Sequence, residues 1–200
     1  MSSLKTKEAN ETEYTVIPLE KRILRIFSDI YESQSFGPYD LMSLEQIADL
    51  GDRIMMTAQK SSQKFFEETK GLERPSGMFR IEKEYCNPLS VGVLLKTSDE
   101  KLFFVRFYLH PNGKYIDKEN NTISEIEAVE YKLTESGIEC KNLKMMGIVF
   151  DSIKQPCVVL TAELNLASKE VNNSKESLDK FIEPQTSPFY LGAMELYKKL

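Results

Sequence analysis

The segment YIDKENNTISEIEAVEYKLTESGIE, Tyr115–Glu139, is the part of the sequence on which the fold assignment depends. It begins as a polar loop. Ile126, Val129 and Leu133 then recur at the spacing of one helix face. The run Ser136–Ile138, Ser-Gly-Ile, supplies a glycine where a helix can end. The segment therefore predicts a loop, an amphipathic helix and a stop.

Strand-like runs flank this predicted helix on both sides. LSVGVLLKT and KLFFVRFYL precede it, are rich in Val, Leu and Phe, and are separated by the hairpin-turn sequence SDEK. LKMMGIVFD and CVVLTAELNL follow it as two further predicted strands, and PFYLGAMELYKKL predicts a closing amphipathic helix. Interleaved strands and helices predict an α+β domain over residues 78–200.

The N-terminal third has apolar residues at helical spacing. The first set lies in PLEKRILRIFSDIYE and consists of Leu19, Ile23, Ile26, Phe27 and Ile30. The second set lies in the segment that follows Asp40 and consists of Leu41, Leu44, Ile47, Leu50, Ile54, Met55, Phe65 and Phe66. We therefore expect a small helical domain over residues 15–70, preceded by a disordered tail over residues 1–14. The sequence GLERPSG reads as the linker between this unit and the α+β domain.

Composition and charge argue against some classes of binding partner. The chain of 200 residues has a formal net charge of −5, and its basic residues are scattered rather than clustered, which argues against a nucleic-acid surface. No run approaches the roughly 20 apolar residues of a membrane helix, and the polar start MSSLKTKEANETEY has no apolar leader region. We expect a cytoplasmic protein with small-molecule or protein partners and no membrane association.

The three cysteines and the single histidine limit the catalytic chemistry. Cys86, Cys140 and Cys157 are far apart and form no C-x-x-C pair, which argues against a disulfide framework and a structural zinc site. His110 has no G-x-S-x-G or equivalent nucleophile motif to accompany it. We interpret the cysteines as core or strand residues.

Three segments together resemble the Nudix family. NPLSVGVLLKTSDEKLFFVRF is similar to the opening hairpin of that family, and GIVFDSIKQPCVVLTAEL is similar to the strand pair after its motif helix. LRIFSDIYESQSFGPYDLMSLEQIADLGDRIM resembles the helical N-terminal domain of Nudix hydrolases that act on nucleoside diphosphates linked to another moiety. The resemblance implies an α/β/α sandwich with a mixed sheet, preceded by the small helical domain. It also implies a homodimer, because the two N-terminal helices carry more apolar surface than a small appendage can bury.

The family motif is only partly present. In G-x5-E-x7-R-E-U-x-E-E-x-G-U, where U is aliphatic, helix carboxylates bind divalent cations that clamp a pyrophosphate and activate water. Gly113 and Glu119 have the first spacing, and Glu135 keeps one of the three helical ligand positions, but the distance from Gly113 to Gly137 is three residues too long. The other motif positions hold residues of the wrong type, namely Glu130, Tyr131, Lys132 and Thr134.

The resemblance assigns roles to six residues. Glu135 and Glu119 are the candidate catalytic residues. Glu127 and Glu130, at i, i+3 spacing, are candidates to join Glu135 in a displaced Mg²⁺ or Mn²⁺ site, and the alternative is that they form a solvated helix face. The candidate ligand-binding residues are Gly113 and Arg106.

Three functions are compatible with this sequence. The first hypothesis is a Nudix-fold protein that binds a nucleotide or a nucleoside-diphosphate-linked ligand with little or no hydrolysis, in a cleft between the sheet and the motif helix. The second is a divergent Nudix pyrophosphohydrolase that uses Mg²⁺ or Mn²⁺ to cleave such compounds. The third is a protein-interaction module with no small ligand.

Overall fold

The computed structural model describes residues 13–30, 35–70, 85–173 and 179–200. The strands are β1 (Tyr14–Pro18), β2 (Ile23–Ser28), β3 (Asp40–Asp49), β4 (Arg53–Ser62), β5 (Ser90–Lys96), β6 (Leu102–Tyr108), β7 (Ile116–Asp117), β8 (Thr122–Ile123), β9 (Cys140–Asp151) and β10 (Pro156–Leu164). The helices are α1 (Gln63–Thr69), α2 (Glu125–Glu135), α3 (Ser168–Asn173) and α4 (Pro188–Tyr197), with a 3₁₀ turn at Asp179–Phe181. The expected linker and most of the expected tail lie outside the described residues, although Tyr14 opens β1.

Two five-stranded sheets form the frame of this α+β protein. The first sheet has the order β1-β9-β10-β5-β6, in which β10 runs parallel to β5 and the other neighbours are antiparallel. The second sheet has the order β3-β4-β2-β8-β7, in which β2 and β4 are parallel. Both sheets are therefore mixed.

The first sheet is covered on both faces. One face packs with α2 and the inner face of the second sheet into the main core, which includes Val93, Phe150 and Leu133. The opposite face packs against α4 through a smaller cluster that includes Phe104 and Leu196. The fold is thus layered, with the first sheet in the middle.

The predicted hairpin and motif helix are confirmed. Strands β5 and β6 pair from Ser90 with Tyr108 to Lys96 with Leu102. Ser124 caps α2 by accepting a hydrogen bond from the backbone N–H of Glu127 at 3.2 Å, and α2 ends just before Gly137. The two later strands and the closing helix also form, as β9, β10 and α4. No helix in the described part of the chain is both long and apolar enough to cross a membrane.

The prediction of an N-terminal helical domain is wrong. The segments expected to be helices contain β2, β3 and β4, and among their described residues only α1, around Phe65 and Phe66, is helical. In β2 and β4 the buried side chains alternate along the chain, as they do for Leu24 and Ile26 and again for Ile54 and Met56. This two-residue period defines the buried face of a strand, whereas the predicted helices used only the spacings of three and four.

A turn inside the second expected helix supplies part of the physical reason. Gly51 has φ +85, and its N–H donates to the Asp49 carboxylate at 3.0 Å, so β3 and β4 form a hairpin around it. A positive φ of this kind ends a helix and suits a tight turn. Ser61 and Ser62 end β4, and the Ser62 hydroxyl caps α1 by accepting a hydrogen bond from the backbone N–H of Phe65 at 3.2 Å.

The N-terminal strands contribute to both sheets. β1 pairs with β9 along its whole length, and β2 pairs with β8 through Ile26 and Phe27. Residues from both parts of the chain share the main core. The argument for a homodimer from two apolar helices therefore no longer applies, and the homodimer itself stays a prediction.

Candidate functional site

A cavity lies where the end of β6 meets the start of β3, the start of α1 and one side of α2. Its volume is about 280 Å³, and we call it the aromatic cavity. It is lined by Pro38, Tyr39, Leu41, Gln63, Phe107, Tyr108, His110, Lys132 and Phe181. Its walls therefore come from five separate parts of the chain, because Phe181 of the 3₁₀ turn also lines it.

Four of the nine residues that line the cavity are Phe or Tyr. Phe107 is almost fully buried and contacts Phe181 edge to face, with ring centroids 6.3 Å apart. Tyr108 is fixed at its hydroxyl, which donates to the Gln155 side-chain oxygen at 3.3 Å. Tyr39, in contrast, is 75% exposed. The cavity thus has a rigid aromatic floor and one exposed ring at its rim.

The polar groups of the aromatic cavity are basic or neutral. The chain has 31 acidic residues, yet none is among the residues that line this cavity. Lys132 reaches it from α2 while its Nζ pairs with the Glu135 carboxylate at 2.9 Å on a half-exposed surface. His110 places Nδ1 2.8 Å from the backbone oxygen of Asp40, and because that oxygen can only accept, Nδ1 carries the hydrogen. In the neutral ring Nε2 is then an acceptor.

A second cavity continues along the edge of β6. It has a volume of about 220 Å³ and we call it the basic cavity. Its lining residues are Arg106, Phe107, Tyr108, Lys180, Phe181, Ile182 and Glu183. Three of these, Phe107, Tyr108 and Phe181, also line the aromatic cavity, so the two cavities adjoin.

Arg106 is the central charged group of the basic cavity. Its side chain is 15% exposed, and its Nε donates to the Glu183 carboxylate at 2.5 Å. The guanidinium carbon lies 4.1 Å from the ring centroid of Phe189 and 5.0 Å from that of Tyr108. Burial by itself lowers the pKa of Arg106, but Tyr108, Cys157 and Glu183 together raise that pKa above its usual value. Arg106 therefore stays charged beside the aromatic rings.

Glu135, the expected catalytic residue, is paired with neighbours on its own helix. The Tyr131 hydroxyl and the Lys132 ammonium both bond to its carboxylate and lower its pKa. Lys114 lies 5.4 Å from the centroid of the Tyr131 ring, which adds another positive charge nearby. This environment is cationic and lacks a second carboxylate at the motif positions.

The other three expected carboxylates are exposed to solvent, Glu119 in the loop before α2, and Glu127 and Glu130 on α2 itself. Glu119 lies in the turn between β7 and β8, where its N–H donates to Asp117 at 2.9 Å. Glu127 and Glu130 are exposed on α2, and Glu130 helps to raise the pKa of Cys140, which burial already raises. Across the described ranges, no group of three or more His, Cys, Asp or Glu side chains is arranged to hold a metal ion.

The two predicted ligand-binding residues have different surroundings. Arg106 does line a cavity, but it is already paired with Glu183. Gly113 is not among the residues that line either cavity. The ring of Tyr115 packs against Gly113 and would lie 2.1 Å from a Cβ added there.

Sequence reasoning missed the aromatic residues of the cavities. Phe107 and Tyr108 stand at the end of a predicted strand, where an aromatic pair beside His110 was a usable signal. Tyr39 and Phe181 join them only through the tertiary fold. No protein-family model matches this chain, and no curated protein matches it at a significant level.

Proposed function

We propose that this chain is a Nudix-like protein that binds a nucleotide or a nucleoside-diphosphate-linked compound in the aromatic cavity and hydrolyses it little or not at all. The order of elements supports the family assignment: the hairpin β5–β6, the helix α2 and the strand pair β9–β10 coincide with the segments that resemble the family. The observation that carries the function is the aromatic cavity, with its basic rim and no acidic lining residue.

The chemistry of the cavity favours a flat, uncharged ring with an attached anion. Aromatic side chains stack on nucleobases and contribute about 1–3 kcal/mol for each base, with little preference among bases. Tyr39 and Phe181 line the cavity and would stack on such a ring, and Lys132, which also lines it, would contact a phosphate beside that ring. A cationic ligand is disfavoured, because Lys132 would repel it.

The surroundings of Glu135 argue against efficient hydrolysis. Several kcal/mol of barrier lowering in metal-dependent hydrolysis comes from cations held by multiple carboxylates. Glu135 instead bonds to Tyr131 and Lys132. The lysine supplies one positive charge near a bound phosphate, but it cannot lower the pKa of an attacking water as a bound metal does.

Calorimetric titration with ADP, UDP and ADP-ribose tests the binding. We expect a dissociation constant of about 10 μM for at least one compound, which corresponds to about −7 kcal/mol. Tyr39→Ala should weaken binding at least about fivefold through lost stacking. Lys132→Gln should weaken binding about tenfold through a lost charge-assisted contact.

Matched variants control for indirect effects. Phe65→Ala removes a partly exposed ring on α1 that does not line the cavity. Lys199→Gln removes a lysine that follows the C-terminal end of α4 and pairs with Glu195, away from the cavity. Both variants should bind the three compounds with the same affinity as the native protein. If none of the three compounds binds at about 1 mM, the proposal is wrong and the protein-interaction function is favoured.

A turnover assay distinguishes the binding protein from the divergent hydrolase. Release of phosphate or nucleotide is followed with Mg²⁺ and with Mn²⁺ for the native protein and for Glu135→Gln. We expect no turnover approaching about 1 s⁻¹ in either protein. Turnover above that rate which Glu135→Gln abolishes would establish the hydrolase instead.

A further inference from the structure

The basic cavity adjoins the aromatic cavity and adds a volume of about 220 Å³ to it. The two share Phe107, Tyr108 and Phe181, so a ligand with its ring in the aromatic cavity can place an attached group beside Arg106. The two adjoining volumes, about 280 Å³ and about 220 Å³, suit a ligand with two ends. The charges that line the basic cavity indicate the chemistry of that second end.

These charges sum to one net positive charge. Arg106 and Lys180 are cationic, and Glu183 is the one acidic residue among the lining residues. The Nε of Arg106 donates a hydrogen bond to the Glu183 carboxylate, and its Nη1 lies 3.5 Å from the Ser90 hydroxyl oxygen. A guanidinium has more N–H donors than these two contacts use, and its planar fork matches a carboxylate or a phosphate.

Glu183 occupies the place that an anionic ligand group would take. It belongs to a short segment held against the edge of β6, where its N–H donates to the Phe104 oxygen at 2.9 Å and Ile182 forms a single bridge with Val105. One bridge holds this segment much less firmly than a full strand pairing would. The Glu183 carboxylate can therefore leave Arg106 while the frame of the first sheet stays intact.

We propose that the moiety linked to the nucleotide carries its own negative charge, and that this charge binds Arg106 and Lys180 by displacing the Glu183 carboxylate. This selectivity rests on the proposed function, because the ring must sit in the aromatic cavity for the linked group to reach Arg106. The class of ligand is a nucleoside diphosphate joined to an acidic group, such as a uronic acid or a phosphorylated sugar. Glu183 then acts as an internal competitor that excludes neutral linked groups.

A pair of ligands that differ by one carboxylate tests the selectivity. UDP-glucose and UDP-glucuronate are titrated by calorimetry with UDP as the parent compound, since stacking tolerates either class of base. We expect UDP-glucuronate to bind about tenfold more tightly than UDP-glucose. Lys180 is exposed, so Lys180→Gln should fold normally and lower the affinity for UDP-glucuronate more than that for UDP-glucose.

Inorganic phosphate tests the displacement without any nucleotide. Glu183→Gln removes the competing carboxylate, and we expect this variant to bind phosphate at least about tenfold more tightly than the native protein does. Glu195→Gln, which breaks a surface ion pair with Lys199, is the matched control and should behave as the native protein.

The outcomes separate this inference from the proposed function. If UDP binds but UDP-glucose and UDP-glucuronate bind equally, and Glu183→Gln gains no phosphate affinity, the selectivity is wrong and nucleotide binding stands. If neither UDP nor ADP binds, nucleotide binding and the two-ended ligand are both wrong. Tighter binding of UDP-glucuronate that Lys180→Gln reduces, together with phosphate binding by Glu183→Gln, supports the inference.

Discussion

The ring of Tyr115 fills the space that a side chain at Gly113 would need. A Cβ on Gly113 would lie 2.1 Å from the Tyr115 ring, and the ring cannot swing away freely because its hydroxyl accepts from the His110 N–H at 2.6 Å and donates to the His110 oxygen at 3.2 Å. Gly113 is thus required by packing. The motif glycine, which the family resemblance assigns to ligand binding, has a structural role that needs no ligand.

Gly113→Ala should destabilise the protein by about 2 kcal/mol, because the added methyl group meets a buried and tethered ring. Urea unfolding measures the loss. Gly37→Ala is the control, since its Cβ would have no neighbour closer than the Asp40 carboxylate at 3.9 Å. Equal stability of the two variants would contradict the packing role of Gly113.

Asp99 should titrate with a pKa of about 2, far below the ordinary value of 3.8. The Ser168 hydroxyl donates to it at 2.5 Å, the Thr97 hydroxyl at 2.7 Å and the Ser168 N–H at 2.8 Å, and all three contacts favour the charged carboxylate. Carbon-detected NMR of the carboxyl group measures this pKa. Ser168→Ala should raise the pKa of Asp99 towards 3.8, and an unchanged value would contradict the assigned cause.

The same shift fixes the pH range in which Asp99 stabilises the fold. A carboxylate whose pKa is lower in the folded than in the unfolded chain stabilises the folded state above the unfolded pKa, and that contribution is lost as the pH falls. The stabilisation by Asp99 is therefore full above about pH 4 and disappears as the pH falls through about 2. Between those values, the native protein should lose more stability than Asp99→Asn in acid unfolding.

Tyr131→Glu combined with Thr134→Glu should create Mn²⁺ binding on α2. Together with Glu135 these substitutions place three carboxylates at i, i+3 and i+4 on one helix face, which is the arrangement that the native chain lacks. Electron paramagnetic resonance of added Mn²⁺ measures binding in the doubly substituted and native proteins. Adding Glu135→Gln to the doubly substituted protein should weaken the gained binding, and a folded double variant with no gain would show that the scaffold cannot support the site.

Local signals were sufficient for the elements around the motif helix. Ser124 and Gly137 mark the ends of α2 within the sequence itself, and the turn between β5 and β6 is flanked by two runs of strand-forming residues. Pro188 marks the first turn of α4 in the same way. These features depend on residues within a few positions of one another, so the sequence alone predicted the α+β class and the order β5, β6, α2, β9, β10 and α4. It did not predict the short strands β7 and β8, which lie in the expected loop, or α3.

The N-terminal strands could not be assigned in this manner. The apolar residues of β2 and β4 satisfy both a helical and an alternating pattern in part, and the choice is made by pairing of β2 with β4 and with β8. The partner of Ile26 in β8 is Ile123, which is far away in sequence. Sheet hydrogen bonds across such a distance leave no local signature, and they outweigh the modest differences in intrinsic propensity.

The sequence by itself determined that α2 carries Tyr131, Lys132 and Thr134 where the Nudix motif that it resembles has Glu, an aliphatic residue and Glu, and hence that the carboxylate set of that motif is incomplete here. Only the tertiary structure decided where the cavities lie. Tyr39, Phe107 and Phe181 are far apart in sequence but line the same cavity, and Arg106 pairs with Glu183, which is 77 positions away. Cavities form where side chains from distant segments converge, and that convergence depends on the packing of the whole fold rather than on any short stretch of sequence.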